Sequence, residues 1–452
     1  MEKIPVVQLQ SRGAESIEKF HVRMVEGRFQ NVRRLVSWPL LALFFTLVWV
    51  EADGQPWLLF SFAQRQIILF GHPLSWHDLP LLAGLMIAGA CLLFFLAVAW
   101  GRVWCGFACP QSIWTWLFIR IEDWTEGRAS ERARSDSQPM NAERLLRRAL
   151  KHLLWITLAL LTTLTFTGYF IPVREIVSDL VQYQASATLV GWIIIMAGLT
   201  YANAGLVREK ICLHACPYSR FQSVMFDPHT LTVSYDTQRG EPRAHKRLAN
   251  TDSGDCVDCH LCVQVCPTGI DIRNGLQAAC IDCGACIDAC NSVMDKLNLP
   301  RGLIRFASEA GLEGKPSAFM RPRLISYAVM TLVTFAAVLY GFTDTTRLLI
   351  EIRRDRHALF TRLDETTVCN HYRIKVEGFS PGDTKIAVSL QQEPTFQLFG
   401  PRVIDLNESN AVWLPYRVCA DNLAQPKSQL NFELSGHSVT VTKQTTFIAM
   451  RI

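Results

Sequence analysis

Residues 256–290 read CVDCHLCVQVCPTGIDIRNGLQAACIDCGACIDAC, and the spacing of their eight cysteines decides the nature of this chain. The first run is Cys256-x2-Cys259-x2-Cys262-x3-Cys266-Pro267, and the second repeats it as Cys280-x2-Cys283-x2-Cys286-x3-Cys290. Three closely spaced thiolates wrap one 4Fe–4S cube, and the fourth cysteine of each run reaches the other cube. The spacing therefore assigns Cys256, Cys259, Cys262 and Cys290 to one cluster, and Cys280, Cys283, Cys286 and Cys266 to the second. Asn291 stands where a second proline would complete the repeat, which leaves the ligands untouched. Paired cysteines also suit structural zinc, but the crossed spacing favours iron–sulfur. Cys256-Val-Asp-Cys259-His260 matches a c-type haem attachment pattern. Haem would strip two ligands from a complete set, so His260 reads as a surface histidine.

Around this insert the chain is apolar. Half of its 452 residues are hydrophobic, and they gather in long uncharged runs, the signature of a membrane protein. Residues 35–50, 79–100, 153–173, 180–207 and 324–343 each read as a transmembrane helix. The first is near the lower limit for crossing roughly 30 Å of hydrocarbon. The run 103–119 is uncharged but contains Gly106 and Pro110, with Arg102 before it. Arg120, Arg128, Arg132, Arg134, Arg144, Arg147, Arg148 and Lys151 follow it. Basic flanks stay on the cytoplasmic side, so this run reads as a re-entrant or interfacial stretch. The same rule puts the N-terminus, with Arg33-Arg34, inside and the C-terminus outside. Arg347, Arg353, Arg354 and Arg356 run against it, although long translocated domains escape the rule. No signal peptide is visible, and the first run reads as a retained anchor.

The expected organisation follows: a cytoplasmic segment 1–34, a membrane region 35–207, and a cytoplasmic loop 208–322 with the ferredoxin module at about 250–298. A last crossing at 323–343 leads to an outer domain, 344–452. The formal net charge of +5 is modest, and the basic residues cluster beside the apolar runs. That pattern favours a lipid surface and not nucleic acid.

A second cysteine pattern is subtler. Cys105-Gly-Phe-Ala-Cys109-Pro110-Gln-Ser112 follows the second run, and Cys212-Leu-His-Ala-Cys216-Pro217-Tyr-Ser219 follows the fourth. Both read C-x-x-A-C-P-x-S, an internal repeat. A spacing of four puts two sulfurs on one helical face, one turn apart. If the two helices pack together, four thiols converge near the membrane surface. Soft thiolates suit cuprous copper, a further cluster or a reversible disulfide, and buried free cysteines of no chemical role are the plain alternative.

From about residue 363 onward, short alternating runs are separated by Gly, Pro, Asn or Asp. About seven strands read as an immunoglobulin-like sandwich. Cys369 and Cys419 lie there, either as a disulfide or as two buried thiols. Cys91 reads as a small residue within the second helix. His72 and His77, with Trp76 between them, sit in the first outer loop and are candidates for copper or a quinone head group, solvated loop histidines being the plain alternative.

Taken together, Trp104-Cys105-Gly106-Phe107-Ala108-Cys109-Pro110-Gln111, the second Cys212-x3-Cys216-Pro217, the eight-cysteine module and the C-terminal sandwich resemble the cytochrome c oxidase accessory proteins of the FixG/CcoG type. The resemblance spans nearly the whole chain. It implies a multi-pass protein of the bacterial inner membrane: five transmembrane helices, an α+β ferredoxin insert with two 4Fe–4S clusters, and a periplasmic all-β domain. It also implies assistance in assembling a cbb-type haem–copper oxidase, with cupric copper reduced to cuprous. Cys105, Cys109, Cys212 and Cys216 are then the implied copper-handling residues. The expected partners are the bilayer, oxidase subunits or copper-delivery proteins, and a cytoplasmic electron donor.

Two other functions remain open on the sequence. One is a quinol-oxidising membrane ferredoxin subunit, for which Tyr201 and Asn203 are the polar residues at membrane depth. The other is a non-enzymatic assembly scaffold with structural clusters.

Overall fold

The computed structural model describes residues 21–449 except 53–54, 63–65, 71, 75–77, 244–253, 317, 319, 344–347, 356–359, 365–366, 379–383, 393–394, 407–411, 422–426 and 438. Among these, five helices are long and apolar enough to cross a membrane: Arg28–Trp49, Leu79–Trp100, Ala142–Gly168, Ala187–Val207 and Pro322–Phe342. The number matches the sequence expectation; several boundaries do not. The third helix starts eleven residues early, because Arg144, Arg147, Arg148 and Lys151 interrupt hydrophobicity without interrupting helix propensity. It ends at Gly168, and Pro172 caps a separate helix, Val173–Val181. The fourth span therefore begins at Ala187 and not at 180: Tyr183 takes a positive φ of 56° that breaks the run. Ser186 then caps the new helix, its side chain accepting from the Leu189 N–H.

The chain divides into two compact units. One comprises the chain up to Phe45 together with Gly89–Leu164 and Ser186–Thr331. Its ferredoxin module is larger than the cysteine runs. Strands Thr232–Tyr235 and Ile304–Ala307 pair antiparallel, and helices Leu261–Gln264 and Ala285–Lys296 carry cluster cysteines. Val233, Ile272, Ile287, Met294, Leu303 and Ile304 form the buried core between them. The N-terminal segment is not a free tail in this unit. Arg23 N–H donates to Gln264 O at 2.9 Å. The Asp288 carboxylate accepts from the Phe29 and Gln30 N–H groups at 3.2 and 2.9 Å, capping the first helix from a remote part of the chain.

The other unit comprises Thr46–Ala88, Thr165–Ala185 and Leu332 to the C-terminus. The sequence treats residues 51–78 as loop, yet Leu58–Ser61, Gln66–Leu69 and His72–Leu74 form a three-stranded antiparallel sheet. Its alternating apolar residues, Leu59 and Ile68 among them, are buried. Trp76 and His77 lie outside the described residues, and His72 is placed only as a strand residue.

The C-terminal part of this unit is a sandwich of two antiparallel sheets, with strand Leu348–Arg354 entering earlier than the sequence pattern suggested. One sheet runs in the order Gln397–Phe399, Trp413–Asp421, Thr367–Gly378, Leu348–Arg354, with Thr361–Arg362 added on Thr367–Gly378. The other runs Val403–Asp405, Lys385–Leu390, Lys427–Ser435, Thr440–Ile448. Alternate residues Val368, Tyr372, Ile374 and Val376 join Phe432, Leu434 and Phe447 in the core. Cys369 and Cys419 form a disulfide across neighbouring strands of one sheet, where they are direct register partners. The bridge therefore staples a sheet and does not link the two faces.

Candidate functional site

The eight ferredoxin cysteines ring two cavities. One, with about 380 Å³ of empty space, is lined by Cys256, Cys259, Cys262 and Cys290. The other, with about 350 Å³, is lined by Cys266, Cys280, Cys283 and Cys286, with Cys262 at its border. Cys290 thus lines the first space and Cys266 the second. Among the described residues no group of three or more His, Cys, Asp or Glu side chains closes on a single-ion position. Four thiols around each space, with no single-ion position among the described residues, suit a four-iron cube better than one zinc ion. Their chemistry fits as well. Burial pushes the Cys262 thiol up to about 11, with Arg273 opposing and Asp271 and the neighbouring thiols adding, and burial with thiol repulsion pushes Cys290 up to about 12. Cys280, Cys283 and Cys286 are raised too, chiefly by burial. A set of thiolates in such surroundings needs cationic metal to exist.

The two C-x-x-A-C-P-x-S turns share one local structure. Cys105 lies in the short helix Val103–Phe107 and Cys212 in Lys210–His214. Cys109 and Cys216 are each the extended N-cap of the next helix, with Pro110 and Pro217 at its first position. The Trp104 carbonyl accepts from the Ala108 and Cys109 N–H groups at 3.0 and 2.9 Å. The Ile211 carbonyl accepts from Ala215 and Cys216 in the same way, both at 2.9 Å. This corrects the expectation of two sulfurs on one helical face. Proline has no N–H to continue the helix and is favoured at a helix start, so each pair straddles a break.

The four thiols nevertheless face a common region. Burial pushes Cys105 up to about 12, with Cys109 and Cys212 adding to the rise and Arg102 opposing it. Burial likewise lifts Cys212 to about 11, reinforced by Cys109 and Cys216. Cys105 Sγ donates to Gln222 Oε1 at 3.3 Å, and Gln222 is fully buried with its amide nitrogen unpartnered. Below these values the thiolate fraction rises tenfold per pH unit. Alkylation of Cys105 and Cys212 by iodoacetamide in the metal-free chain should therefore still be climbing tenfold per unit between pH 8 and 10. Peptide mass spectrometry reads this directly, and a plateau near pH 8 would contradict it.

The first thiol turn packs directly on the second cluster loop. A Cβ on Gly106 would lie 2.6 Å from Ile281 O and 2.8 Å from Cys283 Cα. Gly101, with φ +57°, lets the chain pass as closely to the Asp282 carboxylate. Asp282, almost wholly buried, accepts from Arg102 N–H at 2.8 Å and Val233 N–H at 3.0 Å. Arg102 Nη1 donates to the carbonyls of Ala278 and of Cys280, the latter at 2.8 Å. Its Nη2 reaches Ser219 O of the second turn at 3.1 Å. Cluster loop and both thiol turns are therefore joined through one side chain. Sequence reasoning found the cysteines but missed Gly106, Asp282 and Gln222, and it read Arg102 only as a flanking charge.

Ahead of the second turn, Ala202–Val207 is a π-helical turn ending at Arg208, whose φ is +51°. Arg208 Nη2 pairs with the buried Glu122 at 2.6 Å. Asn203 belongs to this turn, while Tyr201 OH meets His152 Nδ1 at 2.8 Å. His260 is exposed, yet it meets Arg273 Nη2 at 2.9 Å. Cys91 is buried in its helix.

The 4Fe-4S dicluster domain family matches residues 207–309, and the family described as "IG-like fold at C-terminal of FixG" matches residues 338–450. Protein RdxA of Cereibacter sphaeroides is 34% identical over 388 residues, covering 81% of both chains. The chain belongs to the FixG/CcoG family. Nitrogen fixation protein FixG of Rhizobium meliloti is 31% identical over 84% of this chain and 80% of its own. Protein RdxB of Cereibacter sphaeroides is 34% identical over 84% and 83%. A FixG-type chain with a dicluster domain and five membrane-length apolar helices is a membrane iron–sulfur oxidoreductase that carries electrons.

Proposed function

We propose that this FixG/CcoG-type protein reduces cupric to cuprous copper for the copper centre of a cbb-type cytochrome c oxidase. The single observation that carries this reading is the contact of the Cys105-Gly106 turn with the loop between Cys280 and Cys283. When bound, two 4Fe–4S clusters supply one-electron storage and transfer. The chain's own contribution is to hold soft donors beside them. Cys105, Cys109, Cys212 and Cys216 take copper as substrate, giving up protons as they become thiolates. Each cupric ion gains one electron, and thiolate sulfur stabilises the cuprous product. Gln222 offers an unpartnered N–H donor in the same place.

Charge and redox patterning support the sidedness of this reading. Arginines flank the thiol turns and the ferredoxin module, which suits a cytoplasmic face of the bacterial inner membrane. The Cys369–Cys419 disulfide suits a periplasmic C-terminal domain, since such bonds persist in oxidising compartments. Oxidase subunits or copper-delivery proteins are the proposed partners, with a cytoplasmic donor supplying electrons.

The test is anaerobic. The detergent-purified chain is reduced with dithionite, freed of excess, and mixed with cupric ion while EPR and visible spectra are recorded. Loss of the cupric signal in step with cluster oxidation, two ions per fully reduced chain, is the expected outcome. Clusters that stay reduced would overturn the reading. A second reading, quinol oxidation, draws support from the Tyr201–His152 hydrogen bond near the end of the fourth span. The same reduced sample mixed with a soluble quinone analogue in place of copper separates the two.

A further inference from the structure

The two cysteine-lined cavities lie in different electrostatic surroundings. Beside the first, Arg273 is buried but bound by carboxylates on two sides, Asp258 and Asp271, the latter at 2.7 Å. Glu241 accepts from Tyr235 OH, which lines the same cavity, at 3.3 Å, and is itself paired with Arg243 at 2.7 Å. Beside the second, Arg33 and Arg102 are 7% and 4% exposed, and neither makes a salt bridge among the described residues. Among the described residues Arg33 donates to the Ser112 carbonyl, at 3.1 Å, and interacts electrostatically with Cys283. Arg102 donates to the carbonyls of Ala278, Cys280 and Ser219. Two carboxylates are also near. Asp288 accepts from the N–H groups of Phe29 and Gln30, and Asp282 from those of Arg102 and Val233; Asp282 also attracts Arg102 and offsets part of its charge, leaving Arg33 the less compensated of the two.

A buried guanidinium without a carboxylate partner is costly unless another negative group balances it. The thiolate-held iron of the second cavity is that group, and every electron it accepts makes it more negative. Each set has two cysteines under a tenth exposed, Cys256 and Cys262 in the first and Cys280 and Cys283 in the second, but only the first has an exposed one, Cys259; Cys266 and Cys286 are half-buried. Little water is available there to stabilise added charge, so fixed protein charge must do so.

We infer that Arg33 and Arg102 set the reduction potential of the cluster held by Cys266, Cys280, Cys283 and Cys286, raising it by offsetting the charge of the reduced state. They act as positioning residues in the electrostatic sense, and Arg102 also ties that cluster's loop to the thiol turns. The inference rests on the two clusters and not on what accepts their electrons.

Redox titration of the full-length chain in detergent, followed by EPR, tests it without any acceptor. Arg33→Gln and Arg102→Gln should each lower the equilibrium constant for reducing one of the two clusters about tenfold, or 59 mV for one electron. The other cluster should move by less than a third of that. Arg33→Lys and Arg102→Lys keep the charge and should recover most of the loss. Asp271→Asn, which frees charge on Arg273, should raise the potential of the cluster that the arginine variants leave alone. Arg102→Gln also removes bonds to the Cys280 and Ser219 carbonyls, so if it fails to retain iron, the Arg33 pair decides alone. Equal shifts in both clusters, no shift, or lysine variants that behave like glutamine would overturn the inference.

Discussion

Cys216→Ser and Cys105→Ser are each expected to leave both clusters assembled and reducible while slowing cupric reduction at least a hundredfold. Serine is a mild change for the fold at both places. Cys216 is an N-cap, a position that serine favours. At 105 a hydroxyl can donate to Gln222 Oε1 as the thiol does. The chemistry is not mild, because a hydroxyl stays protonated and is a hard donor, so the cuprous product loses the sulfur that stabilises it. Rates come from stopped-flow traces of cluster bleaching after mixing with cupric ion, normalised to iron content. A wild-type rate in either variant would remove the thiol turns from the reaction and favour a scaffold role.

Gly106→Val tests the contact itself. The new Cβ would sit within 3.0 Å of Ile281 O, Cys283 Cα and Cys283 N, all backbone atoms that cannot rotate aside. Either the thiol turn or the cluster loop must move, and packed interiors resist such shifts at a cost of about 1–3 kcal/mol. The expected result is a tenfold or larger loss in the rate at which copper bleaches the clusters, with lower thermal stability of the ferredoxin module. Gly198→Ala is the matching control. It lies in the fourth membrane helix with nothing within 4 Å of the added Cβ, so its rate should equal wild type. If Gly106→Val also matches wild type, the packed turn is not the electron route.

Much of the site was legible because cluster ligation is written locally. Three cysteines within seven residues fix one cube's ligands through chain geometry alone, and the repeat fixes the crossed fourth ligands. The paired C-x-x-A-C-P-x-S turns were legible as a repeat, since each proline forces the same helix break. Their local geometry was misread only where periodicity was assumed to run through the proline. The membrane helices were found by hydropathy, but their ends depend on capping and backbone breaks at Gly168, Tyr183 and Ser186, which hydropathy does not sense.

Charge is where sequence reasoning reached its limit. Arg33 and Arg102 occupy positions that the membrane-flank rule explains completely, and on the chain they look like Arg34 or Arg120. Folding buries the first two, Arg33 within electrostatic reach of Cys283 and Arg102 on the Cys280 carbonyl, and leaves Arg34 and Arg120 partly or fully in solvent. Asp282 and Asp288 are likewise ordinary acidic residues in a ferredoxin run until the first helix and the Arg102 turn dock on them.

The sequence by itself determined the cofactor, the membrane class, the repeat of thiol turns and the all-β C-terminal domain. Each follows from contacts between residues close in the chain, or from composition summed over a long window. Only the tertiary structure decided that the thiol turn lies against the Cys280–Cys283 loop, 180 residues apart at the Arg102–Asp282 bond. It alone decided which arginines lose their water and that Cys369 opposes Cys419. Those outcomes depend on which surfaces meet, and a meeting of distant surfaces is fixed by the packing of the whole chain and not by spacing along it.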